Sequence, residues 1–135
     1  MTEELPLVIR WDTFPLDIND PAQRFGLSRW NFFLKDRGAR VRMGFWEVED
    51  GAEVVGEIIG EITGHTADEV MIVLEGQLYV SSPGVPEQVA GQGDVIVARH
   101  GRETHVVAKG RARAFFVAYG SDPEEAERIM RGGEH

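Results

Sequence analysis

The chain contains no cysteine. That excludes disulfides, thiolate nucleophiles and cysteine-held zinc or iron–sulfur centres, and it leaves His, Asp and Glu as the side chains able to hold a metal. Long apolar runs are also missing, so nothing approaches the length a bilayer span needs. The opening Met1-Thr-Glu-Glu-Leu-Pro6 carries neither the basic nor the apolar region of a secretory leader. A cytoplasmic protein is therefore expected. Positive charge is scarce: 14 Lys and Arg stand against 23 Asp and Glu, a formal charge of -9, which disfavours nucleic acid and anionic membranes as partners. The one basic cluster, Lys35, Arg37, Arg40 and Arg42, is interrupted by Asp36 and reads as a solvated hairpin turn. Ser28, Ser81, Ser82 and Ser121 lack a Gly-x-Ser-x-Gly setting, and no glycine-rich strand-to-helix loop suggests a nucleotide phosphate site. Internal repeats, low-complexity tracts and interdomain linkers are absent as well.

What is present is a chain of 135 residues with 42% hydrophobic content, enough for one domain with a sizeable core. Apolar residues come in short runs broken by Gly, Pro, Asp and Asn, the pattern of strands joined by turns. Expected strands are Leu7–Trp11, Trp30–Leu34, Ala39–Glu49, Glu53–Ile62, Asp68–Glu75, Gln77–Ser81, Glu87–Ala90, Asp94–Ala98, Thr104–Ala108 and Ala112–Tyr119. Turns such as Asp50-Gly51, Glu75-Gly76 and Gly91-Gln-Gly93 supply the left-handed or flexible positions that reversals need. So many short strands point to an all-β sandwich or barrel. Pro15 to Gly26 reads as an ordered loop or dimer arm, and Ser121-Asp-Pro-Glu124 as the capped start of a short C-terminal helix. The division expected is an N-terminal strand and arm over 1–29, a barrel over 30–120, and a helix and tail over 121–135. Trp11, Trp30 and Trp46, with Phe14, Phe25, Phe32 and Phe33, are expected mostly in the core or at a dimer interface.

His65 and Glu69, four residues apart, carry the chemistry, with His105 in a later β context. Two imidazoles and a carboxylate on one face are ligands that Fe, Mn, Ni or Zn accept, so these three form a metal site if they meet in space. Each also has a plainer reading. His65 is then a turn residue, Glu69 a solvated strand-start carboxylate, and His105 a surface partner of Glu103.

The segment Thr63-Gly-His65-Thr-Ala-Asp-Glu69, followed after six residues by Gly76, resembles the first motif of the cupin superfamily. Gly93-Asp94 through Gly101 to His105 is similar to the second. Thr63 stands where the family has its first histidine, Arg99 replaces its proline, and the turn from Gly101 to His105 is one residue longer. The resemblance implies a jelly-roll barrel with a short C-terminal helix, and a divalent transition metal (Fe, Mn, Ni or Zn) held by His65, Glu69 and His105, with His100 as substitute. It implies catalytic roles for Glu69, His65 and Thr63, and substrate contacts from Arg42, Met71 and Thr63. The pocket lining it implies is Met71, Val73, Val95, Val97 and either Phe45 or Phe115. Two functions follow as expectations: a metal-dependent enzyme on a small organic molecule (oxygenase, isomerase, lyase or decarboxylase), or a metal-free barrel binding a small acid or sugar as sensor or acid–base enzyme. A degenerate structural dimer is a third reading. A homodimer is expected, since the apolar strand Leu7–Trp11 needs cover.

Overall fold

The computed structural model describes residues 8–16, 18–19, 28–55, 68–99, 103–120 and 124. Within them the short β-branched and aromatic runs form β1 (Ile18–Asn19), β2 (Ser28–Asp36), β3 (Val41–Val48), β4 (Glu53–Val55), β5 (Asp68–Glu75), β6 (Leu78–Ser82), β7 (Val85–Ala90), β8 (Val95–Ala98), β9 (His105–Ala108) and β10 (Ala112–Tyr119). A larger sheet runs β1-β2-β3-β10-β5-β8 and a smaller one β4-β9-β6-β7. Neighbours are antiparallel throughout. Strands distant in sequence thus lie side by side, as in a jelly roll.

The period-2 alternation of each strand decides what faces inward. On β10, Ala112, Ala114, Phe116 and Ala118 are buried, and the smaller sheet answers with Leu78, Ala90, Val106 and Ala108. Large and small side chains are matched across the register. Trp46 lies opposite Ala114, and Phe116 lies opposite Gly44. Alanine and glycine leave the volume that the tryptophan and phenylalanine fill, which keeps the packing close without strain. Trp30 stands edge-on to Phe32 at 4.5 Å between ring centroids and to Phe116 at 5.8 Å, the offset geometry that aromatic quadrupoles favour.

The turns are fixed by side chains as well as by glycines. Gly91 N–H donates to Asp94 Oδ2 at 2.8 Å, Gly110 N–H to Asp50 Oδ1 at 2.8 Å, and Ala39 N–H to Asp36 Oδ1 at 3.1 Å. These are the backbone-mimicking bonds for which aspartate is selected in turns.

The expected strands are largely met, with differences near the N-terminus and at several strand ends. Residues 8–16 form no strand; Phe14 N–H instead donates to the Arg10 carbonyl at 3.1 Å in a turn. The segment read as a loop carries the two-residue β1, paired with Arg29 and Trp30. The Gln77–Ser81, Asp94–Ala98 and Thr104–Ala108 strands each begin one residue later, the Glu87–Ala90 strand begins two residues earlier, the Trp30–Leu34 strand extends two residues at each end, and the Ala39–Glu49 strand is shortened to Val41–Val48. The expected C-terminal helix and the end of the Glu53–Ile62 strand lie outside the described residues. No helix among the described residues is long and apolar enough to cross a membrane.

Two glycines with the same backbone sign have different environments. Gly76 has φ +81, and a Cβ there would sit 2.3 Å from the Arg111 carbonyl oxygen, whereas Gly93 has φ +87 and open space. Gly76→Ala is expected to lower stability by roughly 2–4 kcal/mol, left-handed strain plus a backbone clash. Gly93→Ala should cost only the strain, about 1–2 kcal/mol. Urea unfolding midpoints of the two variants check the contrast; equal losses would contradict it.

Candidate functional site

Every strand of the larger sheet from β3 to β8 presents an inward side chain at one end of the barrel. The pairings place Arg42 beside Ala118, Ala118 beside Glu69, and Glu69 beside Ala98. Across this row a cation and a carboxylate are separated by one alanine and followed by another. Beneath it comes an apolar row, with Phe32, Gly44, Phe116, Met71 and Ile96 paired in turn. The smaller sheet contributes Thr104, which is 7% exposed and continues the inward alternation of Val106 and Ala108. β8 ends and β9 begins at this same end, as do the last residue of β4 and the first of β5.

Arg42 is the most constrained of these groups. It is 5% exposed, and its guanidinium carbon stands 5.9 Å from the centre of the Phe32 ring, within cation–π range. Burial pushes the guanidinium below its ordinary arginine value, and the negative charge of Glu69 opposes the shift. A buried guanidinium stays protonated at neutral pH regardless, so the barrel end holds a fixed positive charge. Arg42 therefore departs from the hairpin cluster in which the sequence groups it. Lys35, Arg37 and Arg40 are exposed around the turn, but Arg42 follows the inward face of β3.

His105 lies on the other side of its strand. Val106 and Ala108 face the core, while His105 shares the outward face of β9 with Val107. Its Nε2 lies 2.9 Å from Glu103 Oε2, which is the surface pairing considered above. The extra residue between Gly101 and the histidine accounts for the placement. A one-residue shift turns a strand side chain to the opposite face, and Thr104 takes the inward position.

Glu69 and Met71 are on the inward face as expected. Thr63, His65 and His100 lie outside the described residues. Several expected lining residues are corrected by alternation. Val95 and Val97 are 55% and 59% exposed, with Ile96 inward between them. Phe45 and Phe115 pack outside the barrel with Phe14 and Phe33. Among the described residues no three His, Cys, Asp or Glu side chains come together to hold a metal ion. The described donors do not fit a metal shared by Glu69 and His105, because those two face opposite sides of their sheets. Two buried nitrogens, Trp30 Nε1 and Arg113 Nε, have no hydrogen-bond partner among the described residues.

No family model matches this chain, and no curated protein matches it. Solved structures do. A cupin 2 conserved barrel domain protein from Salinispora arenicola has a TM-score of 0.59 at 20% identity, covering 96% of each chain. Ectoine synthase from P. lautus has a TM-score of 0.65 at 12% identity over 91% of this chain and 83% of its own. The Clostridium difficile EutQ protein has a TM-score of 0.58 at 20% identity over 90% of this chain and 80% of its own. At these identities the likeness establishes the fold, which is that of a cupin barrel.

Proposed function

We propose that the barrel end bounded by Arg42, Ala118, Glu69 and Thr104 is a binding site for a small organic acid, with Glu69 placed to exchange a proton with it. The observation that carries this reading is the buried Arg42 on the inner face, one alanine away from Glu69. A desolvated guanidinium offers the paired donors that a carboxylate accepts in two-point fashion. Phe32, Phe116 and Met71 form an apolar floor that limits water and strengthens each polar contact above it. Glu69, across Ala118 from the cation, faces the remainder of a bound acid, and a carboxylate there takes a proton from a hydroxyl or a carbon next to a carbonyl. Thr104 supplies a hydroxyl that both donates and accepts. An enzyme, ectoine synthase, among the structural neighbours supports a catalytic use of such a barrel.

Arg42 and Glu69 bear opposite charges on the same ligand, so their substitutions should act with opposite sign. In calorimetric titrations with a panel of mono- and dicarboxylates, Arg42→Met is expected to weaken binding roughly 10- to 100-fold, the loss of about 1.5–3 kcal/mol from charged hydrogen bonds. Glu69→Gln is expected to tighten it by removing a repulsive charge. An unchanged affinity in both variants would remove the anionic-ligand reading.

Metal content provides an independent check. Elemental analysis after incubation with Fe, Mn, Ni and Zn is expected to give well under about one ion per chain, because a fixed guanidinium beside Glu69 opposes a second cation. A stoichiometric ion that is lost in Glu69→Gln would replace this reading with a metal-dependent one, in which His65 joins Glu69 as ligand.

A further inference from the structure

The barrel end that holds Arg42 and Glu69 carries both signs of charge on one level. Arg42, Ala118, Glu69 and Ala98 follow one another across β3, β10, β5 and β8, so the cation and the carboxylate are two strand spacings apart, about 9.6 Å between their backbones. Arg42 is 5% exposed, and its charge and that of Glu69 act on one another. Lys35 continues the row beyond Arg42, but it is paired with Glu124 at 3.5 Å. The next row inward is Phe32, Gly44, Phe116, Met71 and Ile96, which has no polar side chain. Two opposite charges thus share one level, and the level beneath them is apolar.

A plain carboxylic acid matches only half of this pattern. Bound to Arg42, its carboxylate stands in the field of the Glu69 charge, and beside a buried guanidinium that repulsion is weakly screened. An ammonium group next to the carboxylate reverses the sign. Site and ligand then carry one positive and one negative charge each, every charge has a partner, and no net charge is buried. The whole chain points the same way. Its formal charge of -9 opposes the approach of an anion at long range, whereas a zwitterion with no net charge approaches unopposed.

We propose that the ligand of this barrel end is an α-amino acid with an apolar side chain, its carboxylate on Arg42, its ammonium on Glu69 and its side chain on the row of Phe32, Phe116 and Met71. The assignment rests on the acid-binding reading and narrows it. An amino acid with its charges at opposite ends of a chain would lie along the charged row and leave the apolar one uncovered. With both charges on one carbon, the side chain turns onto the apolar row, where it loses contact with water. Glu69 then attracts the ligand as well as exchanging a proton with it, and the proton it exchanges is the amine's. Thr104, 7% exposed at the same end, has a hydroxyl able to donate to the carboxylate or accept from the ammonium.

The test is calorimetric titration of the full chain with compounds that differ only in the charged groups: L-valine against isovalerate, which lacks the amine, and against isobutylamine, which lacks the acid. L-alanine against propionate repeats the comparison with a smaller side chain. Each amino acid is expected to bind at least about 10-fold tighter than its amine-free partner, and isobutylamine to bind more weakly than L-valine. Glu69→Gln should weaken L-valine about 10-fold while tightening isovalerate, which erases the preference. Glu69→Asp keeps the charge and should retain it. Arg42→Met should weaken L-valine and isovalerate alike. Isovalerate bound as tightly as L-valine overturns the amino-acid assignment, and leaves the acid-binding reading standing if Arg42→Met still weakens isovalerate. Affinities for both ligands that are unchanged in Arg42→Met overturn the two together. Absence of binding by either amino acid at about 10 mM also overturns the assignment. The comparison on the unsubstituted chain decides the outcome even where a variant fails to fold.

Discussion

The structure depends on the alternation of β10. This strand lies between β3 and β5 in the larger sheet, and its two faces carry opposite kinds of residue. Inward it shows Ala112, Ala114 and Ala118 around a single Phe116. Those alanines provide the space in which Trp46 packs, and Ala118 stands between Arg42 and Glu69 in one row of the register. Outward the same strand shows Phe115, Val117 and Tyr119, which continue an apolar surface from β3 to β8. The site inside and the surface outside follow from one strand because side chains two residues apart must share a face.

Placing Arg42 inside the barrel carries a desolvation cost. A guanidinium held away from water loses its hydration, and attraction to a neighbouring carboxylate offsets this only in part. A similar volume of apolar side chain would stabilise the barrel more. That cost is why charged side chains are rarely fully buried unless they are paired. Trp30 Nε1, a buried donor with no acceptor among the described residues, is a second departure from ideal packing. Arg113 is buried too, but its role is structural: it pins the Phe14 carbonyl and Glu47 on the outside of the sheet.

Much of the fold was legible in the sequence. Asp68–Glu75 and Ala112–Tyr119 coincide with β5 and β10 to the residue, because their runs are long, β-branched or aromatic, and closed by glycines. The resemblance of the Glu69-to-Gly76 spacing to the cupin pattern agrees with the barrel found. Less legible was any feature that depends on which face a residue takes at a strand end. His105 looks like a ligand by type and position, yet one extra residue in the preceding turn sets it outward beside Glu103. Val95 and Val97 read as lining because they are apolar, although an exposed apolar face satisfies the same pattern.

By itself the sequence determined the composition of the barrel. It set the absence of thiol chemistry, the acidic net charge, most of the strands and the turns between them, since these rest on residue type and on periodicity within a few neighbours. Only the tertiary structure decided that Arg42 leaves the basic hairpin for the interior, that Thr104 and not His105 faces inward, and that Val70, Ile72, Val95, Val97 and Val117 merge into one surface. Those outcomes depend on register between strands distant in the chain, where a shift of a single residue exchanges the inside for the outside.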